Sequence, residues 1–184
     1  MRQILNCLLF STFLITQCSA QNMDSIKVQL EDDYYTSLRH RQHVMPTIKK
    51  FGYESPEMDS LNKVISKSDS IALQRVISIV NQYGWLGKSK IGLTANNALF
   101  LAIQHSDNNA IRELYFPLLE KSALSGESEL SSMATMKDII LIQNGQQQLY
   151  GTQSDMSGNL LPVQDPDNLN RRRKQVGLGK LKMK

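Results

Sequence analysis

Cysteine is almost absent from this chain, and both of its occurrences, Cys7 and Cys18, precede Ala20. That opening stretch reads as an address for export. Arg2 supplies a positive charge, Ile4 to Ile15 is mostly apolar, and Cys18-Ser19-Ala20 places small residues where a signal peptidase cuts. The apolar part is shorter than the roughly 20 residues that a membrane span needs. Residues 1–20 are therefore expected to be a signal peptide, and the mature chain to begin at Gln21. It would be exported to the periplasm or the extracellular space, with no transmembrane span. A lipoprotein anchored through Cys18 is the alternative, ranked second because Gln17 is bulky for a lipoprotein signal. Cleavage after Ala20 leaves no disulfide, no thiol nucleophile and no cysteine metal ligand. The mature domain must then rest on its core alone, which about 160 residues can supply.

Other scarcities narrow the chemistry. There are three histidines and one tryptophan, and no Gly-x-Ser-x-Gly nucleophile elbow. The stretch GWLGKS (Gly84 to Ser89) has two residues between its first glycine and Gly-Lys-Ser, where a phosphate-binding loop needs four, so it reads as a turn between helices. His40-x-x-His43 would put two imidazoles on one helix face. No third ligand lies nearby and Arg39 and Arg41 repel a cation, so this reads as a solvated face; no metal and no cofactor are expected. The tail from Arg171 to Lys184 carries seven basic residues and no acid, which accounts for the net charge of +4. It has no aromatic residue for base stacking, so nucleic acid is not an expected partner.

What the sequence does contain is helical periodicity. Ile26, Leu30, Tyr34 and Leu38 form one stripe. Leu73, Val76, Ile77, Val80 and Tyr83 form another, following a potential N-cap at Ser68-Asp69 and stopping at Gly84. Further helices are expected from about Thr94 to Gln104, along Ile111, Leu114, Tyr115 and Leu118, and along Leu130, Met133, Lys137, Ile140 and Leu141. The texture then changes. Gln146 to Gln153 and Asn159 to Gln164 flank SDMSG and read as two short strands with a turn. Asp165-Pro166 opens a last helix that ends at Gly177. The expected fold is mainly α: a helical bundle with one small C-terminal β-hairpin and a final short helix. It forms a single domain over residues 21–178, followed by a basic disordered tail at 179–184.

One boundary raises a question. Ala98 to Ile103 is apolar throughout and reads as a helix buried on all sides, yet it ends abruptly in Gln104-His105-Ser106-Asp107. Asp107 can cap the next helix, and a lone histidine is more often a core residue than a catalyst. A second polar cluster, Tyr150-Gly151-Thr152-Gln153, supplies uncharged donors and acceptors around a glycine that permits close approach.

The order of Gly84-Trp85, Gly92, Gln104-His105-x-Asp107, Ala134 to Asp138, Gly145, Gln148 and Tyr150-Gly151-Thr152-Gln153, with Pro162, Asp165, Arg172, Arg173 and Val176-Gly177-Leu178 behind them, resembles a bacterial family called domain of unknown function 6624. The similarity covers roughly Asp69 to Leu178. It departs from the family pattern at Ile139 and Thr36, where arginine is common. The resemblance implies a shared polar site but names no reaction.

Two readings follow. In one, the domain is a binding or interaction module of the cell envelope, taking a polar ligand or an envelope partner at Gln104, Tyr150, Gly151, Thr152, Gln153 and Trp85. In the other, it is a metal-independent hydrolase with His105 as general acid or base, oriented by Asp107 or Asp138. Both place His105 and the YGTQ segment in one pocket. The export reading has its own check, since mass spectrometry of the mature protein is expected to find Gln21 at the N-terminus. An acylated Cys18 there would establish lipid anchoring instead.

Overall fold

The computed structural model of the protein describes residues 2–155 and 157–182, with side chains from Asn22 onward. The elements in chain order are α1 (Arg2–Arg41), α2 (Val44–Phe51), α3 (Pro56–Tyr83), α4 (Lys88–Gln104), α5 (Asn109–Leu124), α6 (Leu130–Gln143), a 3₁₀ turn (Pro166–Asn168) and α7 (Leu169–Gln175). The side chains of the expected signal peptide lie outside the described ones. Among the described residues, no helix is long and apolar enough to cross a membrane.

α4 is the centre of the bundle and packs on α1, α3, α5 and α6. Its sequence requires that position. Ala98, Leu99, Phe100, Ala102 and Ile103 are all buried, and a helix that is apolar on every side is stable only when enclosed. Its N-terminus is capped from outside. Gly87 at the N-cap offers no side chain, and Glu127 from the α5–α6 connection accepts from Ser89 N at 3.0 Å and Ser89 Oγ at 2.7 Å. A Cβ on Gly87 would lie 2.2 Å from the Glu127 carboxylate, so GWLGKS is a helix connector whose second glycine admits the cap.

The faces of α1 and α3 differ from the expected stripes in an informative way. On α1, Ile26 and Leu30 are buried, but Leu38 is 46% exposed. The inward line continues instead through half-buried Asp33, buried Ser37 and half-buried Arg41, spaced as one helix face. On α3, Ser68-Asp69 caps nothing. The helix runs through them from Ser55, whose hydroxyl accepts from Met58 N at 3.1 Å. Asp69 lies one turn before Leu73 on the inward stripe. Both faces therefore pass from apolar to polar at the end of the bundle where α4 terminates. On α5 the inward residues are Tyr115, Phe116, Leu119 and Ala123, while Leu114 is 67% exposed.

No β-hairpin forms among the described residues. The segment after α6 makes only isolated contacts, Gln148 with Val163 and Ser154 with Leu160. A ladder needs free backbone groups, and here they are already committed. The Asp138 carboxylate takes the N–H groups of Leu149, Tyr150 and Thr152, and Arg172 and Arg173 take the carbonyls of Leu149, Tyr150 and Gly151.

The tail also differs from a disordered one as far as Leu181. Asn170 Nδ2 donates to Leu181 O at 3.0 Å, and Leu181 N donates to Asn170 Oδ1 at 2.9 Å. Arg173 Nε donates to Gly179 O at 2.5 Å. This docking sets Leu181 over Gly151, where an added Cβ would come within 3.2 Å of its side chain.

Candidate functional site

The YGTQ segment is a loop wrapped around a buried ion. Asp138, on α6, is fully buried. Its Oδ1 accepts from Leu149 N at 2.7 Å and Tyr150 N at 3.0 Å; its Oδ2 accepts from Thr152 N at 3.0 Å and Thr152 Oγ1 at 2.9 Å. From the opposite side, Arg173 Nη1 donates to Tyr150 O at 2.7 Å and Gly151 O at 3.0 Å, and Arg172 Nε donates to Leu149 O at 2.8 Å. The peptides between them thus lie with their N–H ends toward an anion and their C=O ends toward cations. Gly151 takes φ +64°, the left-handed region that this curvature needs. Gln148, also fully buried, closes the loop from within: its amide donates to Gln153 O and Leu161 O and accepts from Gln153 N, each at 2.8 Å. Tyr150 is half-buried. Its phenol is raised above the usual tyrosine value, first by burial and then by Asp138, and stays neutral at physiological pH.

His105 belongs to a different place. It is the C-cap of α4, with its N–H on Leu101 O at 2.9 Å. The chain turns there under two local devices. Arg112 Nε donates to Gln104 O at 3.0 Å and its Nη2 donates to Ser106 O, which satisfies carbonyls left free at the helix end. Asn108, rather than Asp107, caps α5, accepting from Ala110 N at 2.9 Å. Asp107 is exposed. The imidazole borders an open cleft of about 550 Å³ between α3 and the α4–α5 turn, whose walls include Asn62, Ser66, Asp69, Ser70, Ser106 and Asn108. Among the described residues no hydrogen bond is made by either ring nitrogen of His105.

The two clusters are therefore not one pocket, which corrects the expectation drawn from their polarity. They share no hydrogen bond, cavity wall or charged neighbour among the described residues. His105 faces α1 and α3, with Arg41, Asp69 and Arg112 as its charged neighbours. The YGTQ loop faces α6 and α7. Asp138 cannot orient His105, because its oxygens are bound to the loop. Trp85 is separate again: it lies in the connection that precedes α4, whereas His105 follows the last residue of that helix. Its Nε1 donates to Ser128 Oγ at 3.1 Å. His40 lies in the last turn of α1, and His43 lies in the turn between α1 and α2.

Three residues of the His105 neighbourhood were not evident as site residues in the sequence. Arg41 holds Asp69 with two hydrogen bonds, Nη1 to Oδ1 at 3.0 Å and Nη2 to Oδ2 at 2.6 Å, and Nη1 also donates to Ser37 Oγ at 2.7 Å. Asp33 is paired with Arg75. The available signal was spacing: Asp33, Ser37 and Arg41 recur every four residues in register with Leu30, so the inward face of α1 continues in polar form.

Burial, followed by the Arg41 charge, lowers the His105 pKa to about 4; Asp69 opposes this and Arg112 adds to it. The ring is neutral at pH 7. An unfolded chain takes up a proton near pH 6.5 that the folded chain refuses until about pH 4, so stability must fall as pH drops across that window and level off below it. The loss is on the order of 2–3 kcal/mol. Chemical denaturation at pH 7 and pH 4 is expected to show a larger drop for the wild type than for His105→Gln. Equal drops in the two proteins would mean that His105 titrates normally.

No curated protein and no solved structure matches the chain. The family described as a family of unknown function (DUF6624) matches residues 29–183, which include every residue of both polar clusters. With the match covering most of its length, the chain belongs to that family.

Proposed function

We propose that the cleft beside His105 binds a small, polar, largely uncharged ligand, and that the protein is an exported binding domain of the cell envelope. The observation that carries this reading is the state of His105: a neutral ring, without a hydrogen bond to a described residue, bordering an open cleft. The surrounding groups fit such a ligand. Asn62, Ser66, Ser70, Ser106 and Asn108 offer neutral donors and acceptors, while Ile65, Leu73 and Ile111 supply apolar contact. The nearest carboxylate, Asp69, is neutralised by Arg41, so the site offers no free charge of its own except Asp107 at the rim. Export is supported by the leader-like first twenty residues; a mature chain from Gln21 would keep Ile26 and Leu30 of α1, which pack in the core.

The hydrolase reading is weaker for the same reason that favours binding. A general base works best with a pKa near the working pH, and burial beside Arg41 holds His105 near 4.

A thermal-shift screen of polar metabolites against the mature protein tests the proposal. A ligand of this cleft is expected to raise the melting temperature of the wild type. Ser70→Trp, which fills the cleft from an exposed position, should abolish that shift. His105→Ala should weaken binding by about 5- to 30-fold, the range for losing one hydrogen bond of about 1–2 kcal/mol. Ligands that bind both variants as they bind the wild type would show that the cleft is not their site.

A further inference from the structure

α5 is apolar on two faces, and the bundle covers one of them. The helix packs on α4 and α6, and its buried residues include Tyr115, Phe116, Leu119 and Ala123. On the outer side Leu114 is 67% exposed and Leu124 is 72% exposed, with Pro117 and Leu118 open between them. Single exposed leucines are ordinary on a protein surface, but this set shares one side of one helix. A helix that is apolar on both sides is stable when both are enclosed. No described element packs over the outer one.

The outermost line of α5 is Ala110, Glu113, Pro117, Lys121 and Leu124, all exposed. Its steps of three, four, four and three residues keep a single face outward, as in the seam of two paired helices. The line is also symmetric about Pro117. Glu113 and Lys121 lie four residues to either side of it, and Ala110 and Leu124 lie seven.

We propose that this face pairs with the same face of a second copy of the chain, as an antiparallel α5–α5 contact whose two-fold axis passes beside Pro117. Such a contact is reciprocal: Glu113 meets the partner's Lys121, and Lys121 meets the partner's Glu113. Ala110 meets the partner's Leu124, small against large. Leu114 and Leu118 stand on one flank of the line, and the axis sets the partner's pair on that same flank, so four leucines meet there. The charges are available for this role. Glu113 Oε1 accepts from Asn109 Nδ2 at 3.2 Å and Asn144 Nδ2 at 2.7 Å, which holds the carboxylate in place. Neither Glu113 nor Lys121 is in an ion pair among the described residues. About four turns of one helix cover less than a standard interface of about 1,600 Å², so the dimer is weak and reversible. The contact is independent of the ligand-binding reading of the His105 cleft.

Sedimentation equilibrium of the mature chain from about 10 μM to 1 mM spans the range of weak contacts. The average mass is expected to rise from one chain towards two. Glu113→Lys sets base against base at both charge contacts, and Lys121→Glu sets acid against acid. Each variant alone should weaken association about 10-fold or more. Mixed in equal amounts, the two should associate with each other about as tightly as the wild type, because both charge contacts then join acid to base. A change in the fold of either variant cannot produce that recovery. A wild type that stays monomeric at the highest concentration, single variants that associate like the wild type, or a mixture that stays monomeric would each overturn the proposal. A role for the two charges confined to the α5 dipole would leave association unchanged throughout. Should either charge variant fail to fold, Leu124→Lys at the exposed helix end takes its place: it should weaken association, and unaltered association overturns the proposal.

Discussion

The Asp138 carboxylate sets the terms for the C-terminal third of the molecule. A fully buried charge is costly unless nearby donors compensate it, and α6 has none to give. The chain beyond α6 supplies them by folding back so that three backbone N–H groups and the Thr152 hydroxyl converge on one side chain. That curvature needs glycine at 151 and leaves carbonyls pointing outward, which Arg172 and Arg173 of α7 receive. The same arginines fix α7, and Asn170 beside them fixes the chain as far as Leu181. Helix, loop and tail thus depend on one another through a single ionised group. The segment is not a hairpin because this arrangement uses the hydrogen bonds that a ladder would need.

The bundle's other polar region follows the opposite principle. Around Asp138 the carboxylate, the Gln148 amide and the Thr152 hydroxyl are all matched. Around His105 the matching is incomplete: Arg41 and Asp69 satisfy each other, but the imidazole and Asp33 Oδ2 are not bonded to described protein groups. Polarity of the first kind holds a fold together, whereas polarity of the second kind is available to something else. This is the basis for assigning the YGTQ loop to structure and the cleft to function, although the two motifs look alike in the sequence.

Much of the bundle was legible because it rests on periodicity. The all-apolar run at Ala98 to Ile103 could only be a central helix, and it is. The stop at Gly84 and the turn at GWLGKS followed from glycine chemistry. What misled was the assumption that an inward face stays apolar. Leu38 extends the spacing of Ile26 and Leu30 well enough to be taken for core, yet the inward positions are Asp33, Ser37 and Arg41. Asp69 looked like a cap because Asp often is one, and it serves instead as a partner across the helices. The strands were inferred from composition between Gln146 and Gln164, and composition cannot show that a carboxylate eight residues before Gln146 has already claimed the backbone. The separation of His105 from the YGTQ loop could not have been read from the chain at all, since it depends on which side of α4 each neighbour packs.

The most direct test of this account is the unfolding free energy of Asp138→Asn, measured by urea denaturation at pH 7. An asparagine fits the space, but it removes the charge and turns an N–H group toward donors that need an acceptor. The account predicts a loss of about 2–4 kcal/mol, because several loop donors lose their partner at once. A variant within about 0.5 kcal/mol of the wild type, the range of an ordinary surface substitution, would contradict it.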